Sequence, residues 1–176
     1  METFVNKVAA SGILTLDLAP YCETDVVAFD LQPHLFRGLI LKEKDFREAL
    51  KTLDTTPFSG KDVAVFCSVD AIIPVWAYAL VTITLAPVAR SVHFGTVESV
   101  GEKIIETAIR EAVVPEHYAG ARLVLKGCGD VAIPPAAYVA ATALLQPVVQ
   151  SLMYGEPCST VPLYKKKGVV SGNAPA

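Results

Sequence analysis

Residues 60–95 read GKDVAVFCSVDAIIPVWAYALVTITLAPVARSVHFG, and residues 120–155 read GARLVLKGCGDVAIPPAAYVAATALLQPVVQSLMYG. Shifted by 60 positions without a gap, the two stretches agree at twelve of 36 positions. The matches include Gly60 with Gly120, Asp70 with Asp130, Pro74 with Pro134, Tyr78 with Tyr138, Pro87 with Pro147 and Gly95 with Gly155. Phe94 also faces Tyr154. Repeated prolines and glycines at fixed spacing mark repeated turns, so the chain reads as an internal duplication.

Each copy opens with a short apolar run, DVAVFC at 62–67 and ARLVLK at 121–126, of the length and composition of a buried strand. A loop follows, then an uncharged helix starting near Pro74 or Pro134, where a first-turn proline loses no hydrogen bond. Pro87 and Pro147 end these helices. Ser91–Gly95 reads as a further strand. Before each copy lies an amphipathic helix, Lys42–Leu53 with Phe46, Leu50 and Leu53 on one face, and Val97–Ala112 with Ile105 and Ile109 on one stripe. Their alignment at an offset of 59 carries the repeat back through these helices. SGILTLDL at 11–18 and VVAFDL at 26–31 read as strands, and the chain after Gly155 as irregular and then extended. Alternation of strand and helix predicts an α/β fold with a mainly parallel sheet covered by helices on both faces. One domain over residues 1–167 with a flexible tail at 168–176 fits the length.

The composition narrows the function. The chain is 52% apolar and 19% charged, with net charge −3, which excludes the basic face of a nucleic-acid binder. Residues 71–89 and 131–155 carry no charge. Their prolines limit each helix to about 13 residues, near 20 Å, so a membrane span is not expected. Four cysteines without a secretory leader predict a cytoplasmic protein with free thiols.

Ligands of open α/β sheets sit off the carboxyl ends of parallel strands. Both repeated loops fall there, and each holds a thiol and a carboxylate: Cys67 with Asp70, and Cys128 with Asp130. Cys158 follows the repeated Gly155. Cys67, Cys128 and Cys158 with Asp70 and Asp130 are therefore the candidate metal ligands, since thiolates suit zinc or an iron–sulfur cluster. A cysteine nucleophile and a non-catalytic homodimer are the competing readings. Against the ligand role, Cys67 also reads as a small core hydrophobe, and Asp70 and Asp130 as helix caps. His34, His93 and His117 each stand alone and read as packed or surface residues, and Cys22 lies outside the repeat.

SGILTLDL, FRGLILKEKDFR, CSVDAIIPVWAY, LKGCGD and MYGEPCSTVPLYKK carry a resemblance. Over most of residues 6–167 the chain resembles an uncharacterised bacterial family, the domain-of-unknown-function family 2480. The resemblance brings no assigned activity. It implies genes that lie near those of iron–sulfur cluster assembly, and so iron–sulfur assembly proteins as partners of an accessory protein.

Overall fold

The computed structural model describes residues 12–127, 131–156 and 159–167. In chain order the elements are strand β1 Ile13–Leu16, β2 Val26–Asp30, the two-residue strands β3 Leu35–Phe36 and β4 Ile40–Leu41, helix α1 Glu43–Lys51, β5 Asp62–Phe66, α2 Val75–Leu85 and β6 Ser91–Phe94. There follow α3 Val97–Ala112, β7 Arg122–Lys126, α4 Pro135–Leu145, β8 Ser151–Glu156 and β9 Ser159–Lys165. The fold is mixed α/β, and its two main sheets are dominated by parallel pairs. Among the described residues no helix is long and apolar enough to cross a membrane.

The chain forms two compact units. Thr24–Ile104 is continuous, whereas the other unit is split into Met1–Glu23 and Ile105–Ala176. The expected sheet is thus two sheets. In the continuous unit the order is β2-β5-β6, all parallel. In the split unit it is β1-β7-β8-β9, with three parallel strands and an antiparallel β9. β9 is the extended segment expected after Gly155, and it returns antiparallel to β8.

Each core forms on the helix-bearing face of its central strand. Val63 and Val65 of β5 alternate toward that face, where Phe46 and Leu50 of α1 and Ala77, Val81 and Leu85 of α2 meet them. In the split unit Leu123 and Leu125 of β7 meet Ile105 and Ile109 of α3 and Ala137, Ala141 and Leu145 of α4. The same positions therefore do the same packing in both units. Ala64 and Val124, which point to the opposite face, are also fully buried. A central parallel strand with both faces covered reads as an uninterrupted apolar run.

The turns agree as well. Gly60 and Gly120 sit at φ +69° and +71°, a conformation that strains any side chain. Their N–H groups donate to Val88 and Val148 at 2.9 and 2.8 Å. Pro74 and Pro134 are the helix N-caps, both extended. α2 and α4 span 11 residues each and are apolar around most of their circumference. The sequence predicts full burial for such helices, but the structure differs: Val75 and Ile83 of α2 are 84% and 70% exposed.

Asp62 is a buried charged residue at the start of β5. Arg90 donates to both its oxygens, from Nε at 2.9 Å and Nη2 at 2.5 Å. Ser91 Oγ donates to Oδ1 at 2.6 Å, which leaves that hydroxyl oxygen to accept from Nε2 of His93 at 2.8 Å. The bonds from Arg90, then that from Ser91, hold the Asp62 carboxyl below the usual carboxylate range against the opposing effect of burial. Asp→Asn at 62 is expected to cost about 1–2 kcal/mol at neutral pH, toward the low end for charged hydrogen bonds because Arg90 faces solvent. The folded carboxyl titrates below the unfolded value near 3.9, so its stabilisation is complete above that value and vanishes as pH falls through the folded one. Urea melts from pH 7 to 2 should show the gap between wild type and Asp62→Asn closing only below about pH 4.

Candidate functional site

The carboxyl end of the split unit's sheet is built from β7 and β8 side by side. Lys126 pairs with Gly155, and Gly127 N–H donates to Gly155 O at 3.3 Å. β8 and β9 run on to Glu156 opposite Ser159. The positions that follow these strand ends are Cys128 and Asp130 after β7, and Cys158 in the link from β8 to β9. Those three residues, like the tail at 168–176, lie outside the described residues. Their described flanks, Gly127, Glu156 and Ser159, belong to one end of one sheet.

Beside that end lies an apolar cavity of about 430 Å³, walled by Leu125, Ile133, Tyr138, Val139, Tyr154 and Leu163 among others. Two aromatic rings form its base. Tyr138 and Tyr154 meet edge to face at 5.3 Å and 73°. Tyr138 Oη donates to Lys126 O at 3.0 Å, and Tyr154 Oη to Gly127 O at 3.4 Å. Both hydroxyls are thus spent on backbone carbonyls next to the loop, and they fix its starting point. Lys126 Nζ contacts Asp17 Oδ2 at 2.6 Å. The hydrogen bond from Lys126, then that from the Ala19 amide, lowers the Asp17 pKa.

The continuous unit has the same end with different contents. Cys67 follows β5 directly and packs half-buried against that unit's core. Its positional counterpart is Gly127, not Cys128, so the thiols of the two loops are one residue out of step. The reason is steric. A Cβ at Gly127 would lie 2.8 Å from Cζ of Tyr154 and 3.2 Å from the Gly155 Cα. Phe94, the counterpart of Tyr154, likewise stands edge to face on Tyr78, the counterpart of Tyr138, at 5.2 Å. Burial, then the nearby Cys67 thiol, raises the Tyr78 pKa. Asp70 is exposed, and α2 has no side-chain cap hydrogen bond at its N-terminus. The capping role expected of Asp70 is therefore corrected: four residues, 71–74, separate it from the helix start at Val75. Among the described residues no three His, Cys, Asp or Glu side chains could share a metal ion.

The loop anchor is a residue the sequence reading passed over. Asp30 Oδ1 accepts from the amides of Gln32 at 2.9 Å and Ser68 at 3.0 Å, tying the turn after β2 to the loop after β5. Asp17 does the corresponding work, accepting from the Ala19 amide at 2.9 Å and pairing with Lys126. The signal was present as a second repeat, Asp-Leu-Ala-Pro at 17–20 and Asp-Leu-Gln-Pro at 30–33. Each Asp opens a short 3-10 turn, each Leu is fully buried, and each proline sits in the first turn. His34, the last residue of its turn, is packed as expected: it stacks on Phe29 at 5.6 Å and meets Phe46 edge-on at 5.2 Å.

Two measurements check this geometry. Gly127→Ala should lower the urea midpoint by the equivalent of about 1–3 kcal/mol, the range for overpacking. An unchanged midpoint would show that the Tyr154 ring yields freely. Cys22 donates to Leu18 O at 3.3 Å, and burial, then the Asp17 carboxylate, pushes its thiol pKa up. Iodoacetamide at pH 8 should therefore label Cys22 more slowly than a free cysteine peptide, as followed by peptide mass spectrometry.

No curated protein and no solved structure matches the chain. Its sequence matches the family model described as Protein of unknown function (DUF2480) over residues 2–166. With nearly the whole chain inside that match, the protein belongs to family DUF2480.

Proposed function

We propose that the protein is a cytoplasmic accessory protein that binds a metal ion or an iron–sulfur species through thiolates at the carboxyl end of the split unit's sheet. Cys128 and Cys158 are the proposed ligands, with Asp130 as a further candidate. The observation that carries this reading is the adjacency of the strand ends that lead to them, joined by the bond from Gly127 to Gly155. Two thiols that follow neighbouring strand ends in the chain would supply a ligand pair for zinc or iron. Two cysteines and one carboxylate fall short of a closed four-thiolate set, which fits a site that takes up and hands on its cargo. Iron–sulfur assembly proteins are the corresponding partners. Cys67 and Asp70 occupy the related end of the continuous unit, where the half-buried thiol fits a packing role better.

A second reading, that the protein works as a homodimer, draws on the exposed uncharged face of α2. It is compatible with the first.

The thiol site is tested by purifying the protein without oxygen and measuring zinc, iron and sulfide together with the visible spectrum. Bound metal, or uptake of zinc against a chromophoric chelator, is expected. Cys128→Ser and Cys158→Ser should each weaken uptake at least tenfold, and Cys22→Ser should leave it unchanged. Protein that holds no metal and takes up neither zinc nor iron would end this reading.

A further inference from the structure

Arg122 of β7, Ser151 of β8 and Lys165 of β9 stand in register across three adjacent strands. Residues in register point to one face of a sheet, and every second residue of a strand returns to that face. Two cations therefore flank a hydroxyl in one row. Met153, opposite Pro162, belongs to the next row on the same face. Both rows line one open cavity of about 410 Å³, together with Gln150. That volume falls in the range of about 300–1,000 Å³ typical of small-molecule pockets. Among the described residues the lining carries two cations and no carboxylate.

The continuous unit shows which group this position receives. Asp62 is in register with Ser91 as Arg122 is with Ser151. There the serine hydroxyl and the Arg90 guanidinium both donate to the Asp62 carboxylate. The split unit keeps the serine, has Gln150 in place of Arg90, and has Arg122 in place of the aspartate. Lys165 adds a second cation from β9, a strand without a counterpart among the described residues of the continuous unit. The chain has thus exchanged the acceptor for a donor. Guanidinium, amide, hydroxyl and ammonium groups at this position can all donate to one anion.

We propose that this cavity binds a small organic molecule by its carboxylate. The ligand's carboxylate meets Ser151 as that of Asp62 meets Ser91. Arg122 offers a planar fork that matches two carboxylate oxygens, and Lys165 supplies charge from the facing strand. Met153 and Pro162 form an apolar wall beside the charged row, which suits a hydrocarbon body next to the carboxylate. Inorganic phosphate would use the cations and leave that wall wet. The chain's net charge of −3 provides no extended basic face, so the ligand is a small anion and not a nucleic acid. The row lies at the amino end of β7, away from the proposed thiol site, and the proposal is independent of that reading.

Amide NMR on the isotope-labelled full chain tests this, with acetate, succinate, benzoate and inorganic phosphate titrated at pH 7 and constant ionic strength. Benzoate should give saturable shifts centred on Arg122, Ser151, Met153 and Lys165, and should bind more tightly than acetate or phosphate. Benzamide, its neutral analogue, should leave those amides unmoved. Arg122→Gln and Lys165→Gln should each raise the benzoate dissociation constant at least about fivefold, and Lys44→Gln on α1 should not. The double variant Arg122→Asp with Gln150→Arg rebuilds the network of the continuous unit. It should abolish binding while its spectrum remains that of the folded protein. A chain that gives no saturable shift at these amides with any of the three acids overturns the proposal, as does one whose benzoate binding survives the double variant. Benzamide bound as tightly as benzoate overturns the role of the charged row, and phosphate bound more tightly than every carboxylate overturns the organic ligand.

Discussion

The parallel pairing of β1 with β7, Ile13 against Arg122 through Leu16 against Leu125, is the constraint on which the split unit depends. β7 carries Leu123, Val124 and Leu125, all fully buried. Its amides have no water to turn to and need hydrogen-bonded neighbours on both sides. α4 returns the chain to supply β8 on one side. The other neighbour comes from 109 residues earlier, 122 minus 13. Closing so long a loop costs little more than closing a short one, because the entropy grows only with the logarithm of length. It is slow, however, because no local contact rewards the search. The continuous unit meets the same need from 36 residues away, 62 minus 26, with β2 against β5. Each pairing is clamped at its carboxyl end by an aspartate, Asp17 through Lys126 and Asp30 through the Ser68 amide.

One frame carries two electrostatic solutions. At the amino ends of β5 and β6, Asp62 is neutralised by Arg90 and Ser91, and His93 completes the chain of bonds. The corresponding residues in the split unit are Arg122, Gln150, Ser151 and Met153. With the carboxylate replaced by a cation, that network cannot form there. The space is an open cavity of about 410 Å³, lined also by Pro162, Tyr164 and Lys165 of β9. A buried charge is tolerated only with its partners in place. Asp62, Arg90 and the serine therefore stand together in one unit, while both charged residues are replaced together in the other. At the opposite ends of the strands, the exchange of Phe94 for Tyr154 accompanies that of Cys67 for Gly127. The Tyr154 ring takes the room a side chain at 127 would need.

Local rules read much of this from the sequence. Apolar periodicity placed Phe46 and Leu50, and Ile105 and Ile109, in the cores. The proline pairs marked where α2 and α4 begin and end, because a proline's fixed φ and missing donor act within a turn of the chain. The candidate site was legible as chemistry and less so as geometry. The strand ends leading to Cys128 and Cys158 do adjoin, but the one-residue offset between Cys67 and Cys128 has a steric cause on another strand, invisible to spacing. Asp17 and Asp30 had a local signature in the Asp-Leu-X-Pro repeat, whose meaning emerges only when each carboxylate is seen to reach a different strand.

What the sequence by itself determined is the set of elements and which face of each is apolar, since propensity, proline and periodicity act over a few residues. Which strands become neighbours was decided by tertiary structure alone. β1 and β2 are consecutive in the chain, similar in pattern, and each leads into an Asp-Leu-X-Pro turn, yet one pairs with β7 and the other with β5. Nothing within either strand distinguishes these partners. The assignment rests on burying two central strands at once, a condition on the whole chain. The same holds at the free edges: β9 folds back on β8 because it follows directly in the chain, and no such segment follows β6, where α3 begins two residues after Gly95.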